Sequence, residues 1–485
     1  MIPSVRQQAI YDCWENENCN ILANAVAGSG KTTTILGILR RCEFRTLFLA
    51  FNKSIQEEIQ AKIEAENMAQ GKAMTIHSLG LAAIKGRHKF KIVKSKNWDL
   101  WKELEIKSKA IISKIDFSDR LRLGYTLMDM NDISRLFLTN DLNEIEIHMM
   151  GMDKSMLKID QLQELWNNFV KIREKSYEGR FIDIDFIDMI YLPVVEDLLI
   201  PIRPTYLMVD ECQDLNLCQH KLIDKLISQG VEKWVAVGDR NQAIYGFSGA
   251  TGNSFDLFLE KGNVKELPLD VCYRCPPNIV EEANEVYNIM QAFKEVDGIV
   301  EETEWVQGIK ANSMIICRNS GPLIKLFFEL ISLGKSAYIK GDDIIGSITR
   351  FLSPYKKMSL SRAKMEIEDK MLALRGKGDE AGYQLFKFKE NYDNFCLTAM
   401  NLCDDEGTVD GLLHQINRIF ESKDNAIMLC TIHKSKGLES DIVYILNEDL
   451  IPSRFASSTQ QLTQERNLKY VARTRSKREL YYLKN

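Results

Sequence analysis

One short segment narrows the fold before anything else is weighed. Ala25-Val26-Ala27-Gly28-Ser29-Gly30-Lys31-Thr32 follows the apolar run Ile21-Leu22-Ala23 and precedes a helix-like run, Thr33 to Leu39. Small residues between a buried strand and a helix let backbone N–H groups close around phosphate oxygens, and the positive N-terminal end of the helix adds to the attraction. In that arrangement Lys31 reaches the β and γ phosphates and Thr32 holds Mg²⁺. The segment implies a bound nucleoside triphosphate and leaves open what its energy is used for.

Ile21–Asn24, Thr46–Phe51, Tyr206–Val209 and Trp234–Val237 read as buried parallel strands. The last three end in polar clusters: Asn52-Lys53, Asp210-Glu211 and Gly238-Asp239. Ligands of open α/β sheets bind at the carboxyl ends of strands, so these clusters are expected to converge on Ala25–Thr32. A later set, Ser313–Cys317, Ala337–Ile339, Ala426–Cys430, Ile442–Leu446 and Leu480–Leu483, indicates a second α/β domain. Two charged, mainly helical insertions interrupt the pattern, from about Leu81 to Arg180 and from about Gly346 to Ser422. At 485 residues the chain is long for one core, and two to four domains are expected.

The net charge of −5 carries no global sign of nucleic-acid binding, so any basic surface is local. The first insertion supplies one. Lys85, Arg87, Lys89, Lys91, Lys94, Lys96, Lys102, Lys107, Lys109 and Lys114 face Asp99, Glu103 and Glu105, with Phe90, Trp98 and Trp101 interleaved. That composition suits a single-stranded nucleic-acid track and equally suits a solvated helical face over core aromatics. No apolar run approaches the roughly 18 residues of a membrane span. Eleven scattered cysteines without an apolar leader read as reduced thiols in the cytoplasm, not in a secreted protein. Cys272 and Cys275 make a lone C-x-x-C, a weak metal signal.

After its strand, Asp210 can hold Mg²⁺ through water, and Glu211 can orient and deprotonate an attacking water. Gln242, in Gly238–Ala250, offers a donor and an acceptor for a γ phosphate or its water. Tyr245 and Phe247 could stack on bases. Asp183 and Asp185, in Phe181-Ile182-Asp183-Ile184-Asp185-Phe186, suggest a metal nuclease less well than a partly buried element, because they alternate with Ile and Phe.

These motifs, in this order, resemble superfamily 1 DNA helicases of the UvrD/Rep/PcrA type. Ser4-Val5-Arg6-Gln7-Gln8-Ala9-Ile10 resembles the family's adenine-reading motif, with Gln7 the reader by its spacing from Ser4 and Gln8 the alternative. Ala27, Gly28, Ser29, Gly30, Lys31 and Thr32 match its A-G-S-G-K-T loop. Thr33, counted with the nucleotide site, stands where the family often has arginine. Phe51-Asn52-Lys53 and Thr75-Ile76-His77 resemble strand-binding motifs, which makes Phe51, Asn52, Lys53, Thr75 and His77 DNA contacts. Cys272-Tyr273-Arg274-Cys275 resembles N-Y-R-S. The resemblance implies Tyr273 on the adenine and Arg274 on the γ phosphate, and it accounts for the two cysteines without a metal. In Thr431–Glu439, similar to T-x-H-x-x-K-G-L-E, Glu439 would meet the ribose beside Gly437, and His433 would lie nearer DNA. The stretch from Glu465 to Arg475 resembles E-x-x-x-x-Y-V-x-x-T-R. Arg475 would be the second γ-phosphate arginine, with Arg473 a nearby decoy.

The resemblance implies an α/β fold of two RecA-like motor domains with two mainly helical insertions: 1–84 with 181–267, 268–345 with 423–485, and the insertions 85–180 and 346–422. It implies ATP and Mg²⁺ as ligands. Single-stranded DNA and single-strand/duplex junctions would be partners, with a nuclease or a replication or repair factor as a protein partner, in the cytoplasm or nucleoid and away from membranes. The implied activity is an ATP-dependent helicase moving 3′ to 5′. The alternative is a DNA-stimulated ATPase that senses or remodels DNA or protein–DNA complexes, or serves a partner nuclease, with little unwinding of its own. Two departures favour keeping that alternative: Phe247-Ser248 replaces tryptophan-arginine, and the second insertion is short.

Overall fold

A computed structural model describes residues 3–115, 117–149, 157–179, 181–244, 252–340, 348–375, 388–389, 391–396, 398–399, 407–419 and 425–484. The chain divides into two compact units. One comprises Met1–Val26 and Gly30–Asp270, the other Ala27–Ser29 and Val271–Asn485. The division after Asp270 falls three residues beyond the expected 267.

In the first unit, six strands form one all-parallel sheet: β1 (Asn20–Ala25), β2 (Thr46–Ala50), β3 (Gly71–Thr75), β6 (Tyr206–Val209), β7 (Lys233–Gly238) and β8 (Val264–Leu269). Their order is β3-β2-β6-β7-β1-β8. Residues alternate between faces with the period of two that a strand imposes. Leu22, Leu47, Leu49, Leu207, Val209, Trp234 and Ala236 enter one core. Ile21, Ala23, Phe48, Ala50, Met208, Val235 and Val237 enter the other. Burial on both faces is why these strands read as continuous apolar runs.

The first insertion has no core of its own. Trp101, Leu104, Leu127, Trp166 and Phe169 share one hydrophobic cluster with Leu22 and Leu49 of the sheet. Its base is a short parallel pair, β4 (Lys89–Ile92) with β5 (Phe181–Ile184), in which Lys89 faces Phe181 and Lys91 faces Asp183. Behind it the fully buried Arg135 binds Asp188 (2.7 Å) and Asp185 (2.8 Å), and Lys96 binds Asp188 at 2.6 Å. The acidic residue Asp185 is thus part of an ion network, and strand β5 alternates exposed and buried positions.

The second unit holds another all-parallel sheet: β11 (Ile299–Thr303), β12 (Met314–Cys317), β13 (Ala337–Ile339), β14 (Ile427–Thr431), β15 (Ser440–Leu446) and β16 (Ser476–Leu483), ordered β11-β16-β15-β12-β14-β13. A two-residue pair joins β9 (Val271–Cys272) to β10 (Gln291–Ala292). Within the second insertion, Leu360, Ile367, Phe395 and Leu412 pack in the same cluster as Ile315 and Leu429 of the sheet. One turn recurs in both units. Thr75, the last residue of β3, and Thr431, the last of β14, each cap a following helix, and each is followed by Ile-His.

Candidate nucleotide site and nucleic-acid contacts

Helix Lys31–Leu39 starts at Gly30, whose left-handed backbone (φ 79°, ψ 36°) turns the chain out of the loop. Its first turn has no side-chain cap, which leaves N–H groups for an anion. Ser29 Oγ is buried without a hydrogen-bond partner among the described residues. That orphaned hydroxyl beside uncapped N–H groups suits phosphate oxygens.

Sheet order brings the expected carboxylates to this loop, because β7 lies between β6 and β1. Lys31 Nζ lies 3.3 Å from Glu211 Oε1 and 3.4 Å from Oε2. Burial opposes the ammonium charge, but Glu211, Asp239 and Asp210 together hold its pKa above the ordinary lysine value. Burial and then the Glu211 charge push the Asp210 carboxyl up to about 7, against the pull of Lys31. Asp239 is raised by burial as well. Three carboxyl groups around one ammonium suit a divalent cation, which Asp210 and the half-buried Thr32 would hold.

Glu211 itself is left-handed (φ 49°, ψ 42°), a conformation that costs a non-glycine residue about 1 kcal/mol or more. The strained turn carries its carboxylate to Lys31. Gln213 supports it: Nε2 donates to Glu211 Oε2 (2.5 Å) and Asp214 Oδ2 (3.1 Å), while Oε1 accepts the Asp239 N–H (3.0 Å). Gln242 Nε2 donates to Asp239 Oδ2 at 2.7 Å. Gln213 was not among the sequence candidates. Its one signal is an amide two residues beyond Glu211.

Of the two candidate adenine readers, Gln7 is the one beside the loop. Its Nε2 donates to Thr34 Oγ1 (3.1 Å) and would lie 3.3 Å from a Cβ on Gly30. A capping box with Ser4 fixes it. Gln8 instead donates to Asp12 on an exposed helix face. Thr33 is exposed.

The loop tip groups with the second unit. Ala27 N–H donates to the Tyr470 hydroxyl (3.1 Å), and Tyr273 N–H donates to the Gly28 carbonyl (2.9 Å). A Cβ on Gly28 would lie 2.6 Å from Arg274 Cβ, and its φ of +69° already favours glycine. The Tyr273 ring tilts against Phe293, with centroids 4.7 Å apart. Arg274 Nη1 donates to the Thr474 carbonyl (3.0 Å), and its Nε sits 2.7 Å from Glu439 Oε2. Burial works against the charge of Glu439, yet Lys477 and Arg274 hold its carboxyl below the usual range. Gly437, two residues earlier, is left-handed (φ +79°).

Arg475 is buried, donating to the carbonyls of Val471 (2.9 Å) and Leu438 (3.3 Å) and to Thr474 Oγ1 (3.1 Å). Arg274 and Arg475 thus meet at Thr474. Arg473 faces elsewhere: it binds Glu448 (2.9 Å), Glu285 (2.7 Å) and the Glu282 carbonyl (2.6 Å).

The expected DNA contacts are less uniform. Asn52 and Thr75 cap the helices that follow them, and the exposed Lys53 pairs with Glu57 (3.3 Å). Phe51 is half-buried against the core, and His433 is half-buried. Burial pushes His77 down to about 4, so its ring is neutral, and it stacks on Phe186 at 3.8 Å. Phe186 is 61% exposed and was not among the candidates. Tyr245, Phe247 and Ser248 lie outside the described residues. In the first insertion Trp101 is a core residue, and Trp98 and Phe90 pack against the same core, so these aromatics form no open stacking track. Lys96 is buried, Lys102 and Lys107 pair on their own helix, and Lys85, Arg87, Lys89, Lys91 and Lys94 remain exposed without an ion pair among the described residues. Cys272 and Cys275 are buried and paired through Cys275 N–H to Cys272 Sγ (3.3 Å), with no metal-ligating cluster around them among the described residues.

A parallel sheet with a glycine loop, its lysine and a strand-end glutamate defines a phosphate-loop α/β protein. Residues 5–262 match the UvrD/REP helicase N-terminal domain, and residues 383–485 match the UvrD-like helicase C-terminal domain. The chain belongs to the UvrD/Rep helicase family. It is 23% identical to F-box DNA helicase protein 1 of Schizosaccharomyces pombe, over 98% of this chain and 56% of that one. It is 29% identical to ATP-dependent DNA helicase Rep of Buchnera aphidicola subsp. Baizongia pistaciae, over 55% of this chain and 40% of that one. It is 22% identical to a probable DNA helicase II homolog of Mycoplasma pneumoniae, over 79% and 68%. The chain spans about half the length of the first of these relatives and less of the second. Among solved structures, Arterivirus nonstructural protein 10 (helicase) is similar at 12% identity with a TM-score of 0.35, over 98% of this chain and 62% of that one, a score too low to bear on architecture.

Proposed function

We propose that the chain is an ATP-dependent DNA helicase and translocase, built on two RecA-like motors, that moves 3′ to 5′ along single-stranded DNA. The observation that supports ATP hydrolysis is the largely buried cluster of Lys31, Asp210, Glu211, Gln213, Asp239 and Gln242 at the ends of β1, β6 and β7, and DNA as the track rests on the family match. Lys31 would exchange Glu211 for triphosphate oxygens. Glu211, released from Lys31 and held by Gln213, would orient a water and take its proton as the water attacks the γ phosphorus. Gln242 would position that water. Bound Mg²⁺, held by Thr32 and Asp210, would supply charge neutralisation on the phosphates. Gln7 and Tyr273 would recognise the base, and Glu439 the ribose. Arg274 and Arg475, from the second unit, would stabilise the charge that builds up on the γ phosphate, so hydrolysis would be coupled to motion between the motors. DNA grip would come from His77, Phe186 and His433, with Phe51, Asn52, Lys53, Thr75, Tyr245 and Phe247, and from the exposed cations Lys85, Arg87, Lys89, Lys91 and Lys94, which have no ion pair among the described residues. Such an enzyme would work in the cytoplasm or nucleoid, with a repair or replication factor as a protein partner.

The test is ATP hydrolysis with and without single-stranded DNA, then strand separation on 3′- and 5′-tailed duplexes, with Lys31→Ala and Glu211→Gln as inactive controls. Hydrolysis indifferent to DNA would sink the motor reading. Stimulated hydrolysis without unwinding would replace it with a DNA-sensing ATPase. Unwinding from a 5′ tail alone would reverse the polarity.

A further inference from the structure

Away from the nucleotide site, the first helix, Val5–Asn16, ends in an unusual cluster. Cys13 lies in its last turn, Glu17 is its C-cap, and Cys19 stands just ahead of β1. The reversal of the chain brings Cys13 Sγ to 3.6 Å from Cys19 Sγ, and Cys19 Sγ to 3.9 Å from Glu17 Oε2. All three ligand atoms lie within 4.8 Å of one another, the one such grouping of three metal-ligating side chains among the described residues.

The spacing is informative. A disulfide needs sulfurs about 2.05 Å apart, far closer than these. A tetrahedral ion bonded to two thiolates at about 2.3 Å and a carboxylate at about 2.1 Å sets the sulfurs about 3.8 Å apart and sulfur from oxygen about 3.6 Å. The observed distances differ from those by a few tenths of an ångström. The surroundings fit as well. Glu17 Oε1 accepts from Lys265 Nζ (2.6 Å), which leaves Oε2 turned towards Cys19 and holds the carboxylate in place, as outer-shell partners of metal ligands do. Lys233 Nζ binds the carbonyls of Trp14 (2.5 Å) and Glu17 (2.6 Å) and lies over the Trp14 ring, fixing the backbone between the ligands. With both thiols ionised, the two lysines leave the triad one net negative charge, which favours a cation. Cys13 is buried, while Cys19 is only half-buried, so a water could complete the coordination.

We infer that Cys13, Glu17 and Cys19 bind one soft divalent cation of the zinc class. The ion would pin the end of the helix that carries Gln7 to the strand that feeds the phosphate loop. Thiolate ligands select zinc over magnesium, so the site would not compete for the cation of the nucleotide site.

The experiment is an anaerobic titration of the reduced full chain with cobalt(II), followed by zinc. The expected result is one equivalent with a sulfur-to-cobalt charge-transfer band and tetrahedral visible bands, abolished by zinc. Cys19→Ser, at a half-exposed position where folding is not at stake, should lose most of that band, and Cys13→Ser likewise. Lys265→Met should weaken the affinity by about tenfold or more. Zinc should raise the melting temperature of the wild type and not of Cys19→Ser. Absence of the charge-transfer band would overturn the inference. So would a band that persists undiminished in the Cys13→Ser, Cys19→Ser double variant, because it would then come from other thiols. These readouts involve no ATP hydrolysis, so failure of the motor reading and failure of this site are separate results.

Discussion

Two arginines, two residues apart, are expected to fail in different ways when removed. Arg473 is 7% exposed and meets Glu448, which is 19% exposed, and Glu285, which is 66% exposed. The Glu285 pair is open to water and worth little. The Glu448 pair and the Glu282 carbonyl bond are shielded, and Arg473→Ala removes a donor from each, while Lys469 still pairs with Glu448 at 3.2 Å. Together with lost packing on the Tyr482 ring, that amounts to about 3 kcal/mol. In a unit of roughly two hundred residues this lowers the melting temperature by about 6–12 °C. ATP hydrolysis per folded molecule should stay near wild type. Arg475→Ala also strips donors from the buried Val471 and Leu438 carbonyls and lowers the melting temperature, but per folded molecule it should in addition retain nucleotide binding and lose hydrolysis by a factor of about 10³–10⁵, the range known for arginines that meet a transferring phosphate. Fluorescent-nucleotide binding, single-turnover hydrolysis and calorimetry on both variants separate the effects, and Arg475→Lys tests whether charge alone suffices. If Arg473→Ala binds ATP, melts normally and fails to hydrolyse, the assignment of the two arginines is reversed and the reasoning from their partners is wrong.

Other outcomes follow from single positions. A Cβ at Gly80 would lie 1.9 Å from the Met189 carbonyl oxygen, so Gly80→Ala should force helix Ile76–Lys85 off Asp188–Val195 and cost about 1–3 kcal/mol in a denaturant titration. If Lys89 and Lys91 hold DNA phosphates, replacing both with Ala should flatten the dependence of log affinity for oligothymidine on log salt by about 1.4, or 0.7 for each lysine. An unchanged slope in fluorescence anisotropy would remove them from the DNA path. His220 is buried against Ser254, and burial, aided by Lys261 and Lys221, pushes it down to about 3. Its unfolded form takes up a proton below about 6.5, so the stability it contributes is complete above that pH and drains as pH falls. The loss at pH 5 is about 2 kcal/mol. Because the buried His77 drains stability over the same range, urea midpoints at pH 7.5 and 5 should show a loss about 2 kcal/mol larger in the wild type than in His220→Gln.

What the sequence disclosed and what it withheld divide along a physical line. The central strands were legible because both faces are covered, which forces apolar residues at every position: Ile21 and Ala23 enter one core and Leu22 the other. In the two six-stranded sheets the strands missed, β3, β8 and β11, are edges, where only β13 was read, and the short pairs β4–β5 and β9–β10 were missed as well. With one neighbour and one solvated side, an edge tolerates Lys265, Glu266 and even Pro268, and the apolar signature dissolves. The acidic pair Asp210-Glu211 and the lysine of the loop were legible because each is a local pattern with its own chemistry. Gln213 was not, since its task is to join Glu211 to Asp239, and only the adjacency of β6 and β7 brings residues 213 and 239 together. The tryptophans of the first insertion show the converse. Their composition suits a nucleic-acid track, but composition is silent about which way a ring points, and Trp101 points into the core that it shares with the sheet. What survives of the basic surface is the part that packing does not claim, the exposed cations from Lys85 to Lys94, with Phe181 exposed opposite Lys89 across the β4–β5 pair. If DNA meets this insertion, burial and pairing favour contact at the two-stranded edge over the rest of the Lys85–Lys114 stretch, and the salt dependence of Lys89 and Lys91 tests it.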